Sequence, residues 1–218
     1  YLSLLGKLMW IARNCRPDIM FAVKFMSRYT ACYQADHMRV LLRISRYVLD
    51  TKTMGILLKR PTTTEKQDVN LTMWTDSDFA DDSVTGKSIS GYLIFLNGCL
   101  IMYDSKQQST VAQSTTEAEL NALVTGLNEL IFLKDTLAEF CNVALPMRVH
   151  MDNVAAQLIM SADENTSRTK YLGIYVLKAR EYVRLKLISL GNCPSADNAA
   201  DMLTKPLTHK LQNKHMCS

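Results

Sequence analysis

The apolar residues of this chain change their period once, at the polar stretch "RPTTTEKQD", residues 60–68, and that switch restricts the fold more than any other feature. Before it, apolar side chains recur at three- and four-residue spacing: Leu4, Leu5, Leu8, Met9 and Ala12, then Phe21, Phe25 and Met26. A third run places Val40, Leu41, Ile44, Tyr47 and Val48 on one face, with Arg39, Arg43 and Arg46 beside it. This is the pattern of amphipathic helices. After the polar stretch, "DVNLTMWTD" alternates Val69, Leu71 and Met73 with polar neighbours, the period of a half-buried strand. A helical unit over residues 1–60, a linker over 61–68 and a sheet-containing domain over 69–207 follow, with 208–218 left as a tail.

Within the second unit, "SISGYLIFLNG" and "CLIMYDS" read as further strands, and Asn97-Gly98 between them is the signature of a tight hairpin turn. Ser114 followed three residues later by Glu117 forms a capping box for a long helix whose face carries Leu120, Leu123, Val124, Leu127, Ile131 and Leu137. "LPMRVHMD" reads as a strand, "NVAAQLIMSA" and "YLGIYVLKAREYV" as helices, "KLISLGN" as a closing strand and "SADNAADMLTK" as a last helix. The order predicts an α/β fold: a five-stranded mixed sheet, its first three strands antiparallel, with helices on both faces and a small all-helical segment in front.

Charge is distributed unevenly. Residues 1–60 hold eleven Lys/Arg against three acids, residues 61–160 five against thirteen, and residues 161–218 nine against five. A basic module beside an acidic one suits a polyanion held by the first and worked on by the second. The six cysteines include no CxxC pair and the four histidines do not gather near two of them, which argues against a zinc site. No apolar run reaches the roughly 18 residues of a membrane span. The chain lacks a secretory cleavage pattern and does not begin with Met, so we expect an intracellular piece of a longer protein.

Acids recur at element ends. "MWTDSDFADD" places Asp76, Asp78, Asp81 and Asp82 where the first strand ends. Turn chemistry accounts for Asp78, Asp81 and Asp82. Asp76 is different in that Glu119, one turn inside the long helix, Asp152, at the end of the fourth strand, and Asp201, in the last helix, can meet it at the rim of the sheet. Four carboxylates at contact distance repel one another and need cations or protons; oxygen-only donors favour Mg²⁺ or Mn²⁺. Two such ions about 3.5–4 Å apart would serve phosphodiester hydrolysis, with Asp76 bridging them.

The stretches "WTDSDFADDSVTGKSISGYLIFLNG", "SKQQSTVAQSTTEAEL", "MDNVAA", "SRTKYLGI" and "ADMLTKPL" resemble, in order, the ribonuclease H domain of copia-type (Ty1/copia) retrotransposon Pol polyproteins. "YLSLLGKLMWIARNCRPDIMFAVKFMSRY" is similar to the end of the reverse transcriptase segment that precedes it, a thumb- or connection-like part. The resemblance implies a ribonuclease H-like fold and an endonuclease that cuts the RNA strand of RNA–DNA hybrids with two Mg²⁺ ions. It implies catalytic and metal-binding roles for Asp76, Glu119, Asp152 and Asp201. It further implies an upstream reverse transcriptase domain as partner, and a cytoplasmic virus-like particle or the nucleus as the place of action.

One segment departs from the family. Where the family reads "TKHIDIRYHF", this chain has "TKYLGIYVLK", with Tyr171, Gly173 and Leu177 at the changed positions. This motivates an alternative: a catalytically silent ribonuclease H-like module that grips hybrid or a partner. A strand transferase of related fold ranks lower, because that class uses three acids. Candidate hybrid contacts are Arg39, Arg43, Arg46 and Lys52 in the helical segment and Lys106, Gln107 and Ser109 ahead of the long helix, all suited to phosphates. Gln113 and Asn153 are candidates for reading 2′-hydroxyls.

Overall fold

Alternating side chains build the sheet. In the computed structural model, which describes residues 1–59, 68–82, 84–162 and 174–216, β1 spans Leu71–Asp78, β2 Ile89–Leu96 and β3 Cys99–Gln107. They pair antiparallel, and a bulge between Ile94 and Phe95 shifts the β2–β3 register. Asn97 (φ 49°) and Gly98 (φ 78°) both adopt the left-handed region that the tight turn requires. Strands β4 (Met147–Met151) and β5 (Ile188–Asn192) run parallel to β1, giving the order β3-β2-β1-β4-β5. This is the mixed five-stranded ribonuclease H-like sheet expected above.

Leu71 and Met73 of β1 face the long helix α4 (Thr115–Ala138), together with Leu120, Leu123, Leu127 and Leu130 from α4 and Val149 from β4. Full burial of each such side chain contributes about 1.5–3 kcal/mol. Gly126 permits the close approach: a Cβ there would lie 2.8 Å from Met73 Sδ. Ser114 Oγ accepts the Glu117 N–H at 3.1 Å, while Glu117 Oε2 accepts the N–H of Gln113, not that of Ser114. Helices α5 (Val154–Ser161) and α6 (Ile174–Arg184) complete this side of the sheet.

The other face carries a second core. Leu5, Leu8 and Ala12 of α1 (Leu2–Asn14), Met20, Val23 and Met26 of α2 (Met20–Ser27), and Leu41 and Ile44 of α3 (Ala35–Asp50) pack with Leu93 of β2 and with Ala199, Met202 and Leu203. The helical segment thus shares apolar contacts with the sheet. Polar ties reinforce them: Tyr103 donates to the Ala12 carbonyl at 2.7 Å, Lys24 pairs with Asp104 at 3.1 Å, and Arg28 with Asp81 at 3.2 Å.

Two expectations need correcting, and one further element was not expected. Val40 is exposed, so the buried stripe of α3 is narrower than the sequence pattern. "SADNAADMLTK" forms two 3-10 turns, Ser195–Asp197 and Ala199–Leu203, rather than an α-helix. Residues His209–Met216, at the chain end, form helix α7, which buries His215. The expected linker residues 61–67, and Tyr171 and Gly173 of the altered segment, lie outside the described residues. Leu177 is on α6 and partly exposed.

Candidate active site

Asp76 lies in β1 opposite Gly91 of β2 and is 2% exposed. Asp152 follows the last residue of β4, and Asp201 is buried in the 3-10 turn Ala199–Leu203. Each of the three offers a carboxylate oxygen, and these oxygens all lie within 4.8 Å of one another. Glu119 enters from α4: its Oε1 accepts the Ser77 N–H at 3.3 Å, and its buried Oε2 has no hydrogen-bond partner among the described residues. Residues separated by more than a hundred positions therefore converge on one rim.

The local sequence explains the convergence. Asn198 is fully buried, donates from Nδ2 to the Thr75 carbonyl at 3.0 Å, and accepts the Ala200 N–H at 3.2 Å. It caps the turn that carries Asp201 and ties that turn to the residue before Asp76. Thr204 closes the same turn by donating its hydroxyl to Asp76 Oδ2. Gly91 makes room for this: a Cβ there would lie 2.8 Å from Thr204 Cγ2 and 2.9 Å from Leu203 Cβ. On the far side Gln108, buried, donates to Ser90 Oγ at 3.0 Å and to the Ala118 carbonyl at 2.9 Å, holding the start of α4 and hence Glu119.

The electrostatics are those of crowded acids. Burial, then repulsion from Glu119, pushes the Asp76 carboxyl well above its ordinary range, against the opposing pull of Lys205. Burial raises Glu119 to about 7, with Asp152 adding repulsion and the Ser77 hydrogen bonds opposing it. Asp78 is also raised, by burial and by Asp81. The Cys193 thiol, buried and within reach of Asp152, Asp201 and Asp76, is pushed up to about 12 and remains protonated. Lys205 Nζ lies 2.9 Å from Asp201 Oδ1 and 3.8 Å from Asp76 Oδ2. A set of hard oxygen donors with unmet negative charge and an unpartnered buried Glu119 oxygen fits a divalent cation.

The remaining acids of the opening motif take local roles. Asp82 Oδ1 accepts the Val84 N–H at 3.0 Å and its Oδ2 the Thr85 hydroxyl at 2.7 Å, while Asp81 pairs with Arg28. Among the candidate hybrid contacts, Arg43, Arg46, Lys52, Lys106, Ser109 and Gln113 are exposed. Arg39 pairs with Asp36 at 2.5 Å, Gln107 donates to Asp82 Oδ2 at 2.8 Å, and Asn153 caps α5 by accepting the Ala156 N–H at 2.9 Å. Sequence reasoning missed Asn198, Thr204 and Lys205 as parts of the site. The quoted "ADMLTKPL" contained the last two, yet nothing in spacing says that a hydroxyl will reach an acid 128 residues away.

No family model matches the chain. Among characterised proteins, it is 31% identical over 209 residues to the retrovirus-related Pol polyprotein from transposon RE2 of Arabidopsis thaliana, covering 95% of this chain and 14% of that protein. It is 32% identical over 205 residues to the corresponding polyprotein from transposon TNT 1-94 of Nicotiana tabacum, covering 94% and 15%. It is 36% identical over 133 residues to the secreted RxLR effector protein 161 of Plasmopara viticola, covering 61% and 90%. The chain thus spans about a seventh of the length of the polyproteins it matches. Among solved structures, LC11-RNase H1, isolated from compost by a metagenomic approach, is 19% identical with a TM-score of 0.48, over 66% of this chain and 96% of that one.

Proposed function

This chain belongs to the copia-type retrotransposon Pol family, and from that premise we propose that it hydrolyses the RNA strand of RNA–DNA hybrids during reverse transcription, as a ribonuclease H using divalent metal ions. We assign residues 69–207 to the ribonuclease H-like domain and residues 1–60 to the end of the reverse transcriptase segment. The observation that carries the reading is the meeting of Asp76, Asp152 and Asp201, from β1, the end of β4 and a 3-10 turn, with ligand atoms within 4.8 Å. Glu119 completes the set from α4.

When bound, Mg²⁺ or Mn²⁺ supplies Lewis-acid charge to the scissile phosphate and lowers the pKa of the attacking water. The chain's own residues prepare that place. Asp76 is held in one orientation by Thr204 and is the most buried of the four acids, so it would be the innermost residue holding the metal. Asp201 is fixed by the turn that Asn198 caps, and Glu119 by the Ser77 N–H. Asp152, half-buried, is the most exposed of the four acids, and the phosphodiester would enter on its side.

Exposed Lys106, Ser109 and Gln113 near the start of α4 supply phosphate and sugar contacts, and Arg43, Arg46 and Lys52 extend a basic track along the helical segment. Asn153 offers its amide nitrogen, since its oxygen is used in the cap. The wider partner is the upstream reverse transcriptase domain of the polyprotein, within a cytoplasmic virus-like particle or the nucleus. Among the described residues no helix is long and apolar enough to cross a membrane.

Cleavage of a strand-labelled RNA–DNA hybrid, followed with Mg²⁺ and with chelator, tests the reading. We expect RNA-strand products that vanish with chelator and with Asp76→Asn. Equal rates for the two proteins, or cutting that survives metal removal, would refute it.

A further inference from the structure

Thr204 and Lys205 follow the 3-10 turn that carries Asp201, and both reach back to the acids. The Lys205 N–H and the Thr204 N–H each donate to the Asp201 carbonyl at 3.2 Å, so the backbone folds over that residue and projects both side chains toward Asp76. The Lys205 ammonium then stands 2.9 Å from one oxygen of Asp201 and 3.8 Å from Oδ2 of Asp76. Its field also reaches Asp78, Glu119 and Asp152. Asp201 and Asp76 are two of the three residues whose oxygens converge. The side chain is 34% exposed, so its four-carbon stem has an open route to water.

We propose that Lys205 is the built-in counter-cation of the acid cluster: its ammonium neutralises Asp76 and Asp201 while no divalent ion is bound, and it swings outward when one enters. The inference rests on the metal-ion reading above and goes beyond it. A divalent ion needs carboxylate oxygens at about 2.0–2.1 Å for Mg²⁺. An ammonium 2.9 Å from Asp201 Oδ1 stands against one of those oxygens as an ion pair and repels the incoming charge. Lys205 therefore makes the metal-free chain more stable and its metal affinity lower. The two effects are one coupling seen from two sides, because a contact made in the empty state and given up in the filled one stabilises the first and is subtracted from the binding free energy of the second.

Mn²⁺ affinity by titration calorimetry, with thermal unfolding in chelator and in saturating Mn²⁺, tests this on the 218-residue chain, its Lys205→Met and Lys205→Gln variants, and the charge-keeping Lys205→Arg. Both neutral variants should bind Mn²⁺ about fivefold or more tightly than the parent. They should also melt lower in chelator, with the gap closing or reversing in Mn²⁺, while Lys205→Arg stays near the parent. A neutral variant that folds only with Mn²⁺ gives the same support. Neutral variants that bind Mn²⁺ equally or more weakly, or that fail to fold with or without it, overturn the role of Lys205 alone. Absence of Mn²⁺ binding in the parent and in the neutral variants overturns the metal reading, and this inference with it.

Discussion

Thr204 donates its hydroxyl to Oδ2 of Asp76 directly over Gly91, so the residue that closes the last 3-10 turn sets the orientation of the most buried acid. Thr204→Val keeps the shape and removes the donor. Loss of a partner that orients a metal ligand costs about 10–100-fold in activity or metal affinity. Hybrid cleavage and Mn²⁺ titration should both show a loss of that order, with the fold retained by circular dichroism.

Gly91→Ala should damage the same contact from the other strand. The new methyl would fall 2.8 Å from Thr204 Cγ2 and 2.9 Å from Leu203 Cβ, closer than carbon atoms tolerate, and the 3.2 Å approach to the Ala200 carbonyl leaves no retreat. Overpacking of this kind costs about 1–3 kcal/mol. Urea unfolding should register that loss, and cleavage should fall along with it because Asp201 rides on the displaced turn.

Much of this architecture was legible from residue order. Strands β1 to β3 announce themselves because alternation is a local signal, and Asn97-Gly98 marks its own turn. The 3-10 turn Ala199–Leu203 was not legible as such, since five residues are too short to show a period. Helix α7 escaped because "HKLQNKHM" has only two apolar residues. The meeting of Asp76, Asp152 and Asp201 was foreshadowed by their places at element ends and in their motifs. Their supports, Asn198 under Thr75 and Thr204 on Asp76, were not, because a buried hydrogen bond between distant residues leaves no pattern along the chain.

Asn198→Ala removes both the cap and the tie to β1. A buried carbonyl left without its donor, with a lost cap, costs about 1–3 kcal/mol. Thermal unfolding should show this destabilisation, whereas Ser109→Ala, at an exposed position, should leave the melting temperature unchanged.

The stability of the metal-free chain should fall between about pH 4.5 and pH 7 through Glu119. Its folded-state pKa is raised, to about 7, by burial first and by Asp152. An acid raised in this way binds its proton more tightly when folded, so its contribution is fully present below the unfolded pKa and is lost as pH rises through the folded one. The loss is at most about 3 kcal/mol. Unfolding in chelator across this range should show the slope, and Glu119→Gln should make it shallower, leaving the part that the raised Asp76 and Asp78 contribute. A slope unchanged in that variant would assign the effect elsewhere.

Whether the converged acids hold metal is the claim on which the enzyme depends. Anomalous scattering from crystals of the chain grown with Mn²⁺ tests it directly. We expect peaks coordinated by Asp76, Asp152 and Asp201 at about 2.1 Å, a second peak about 3.5–4 Å from the first when hybrid is bound, and Lys205 turned away. Peaks only at other surfaces, with Asp76, Asp152 and Asp201 uncoordinated, would contradict it.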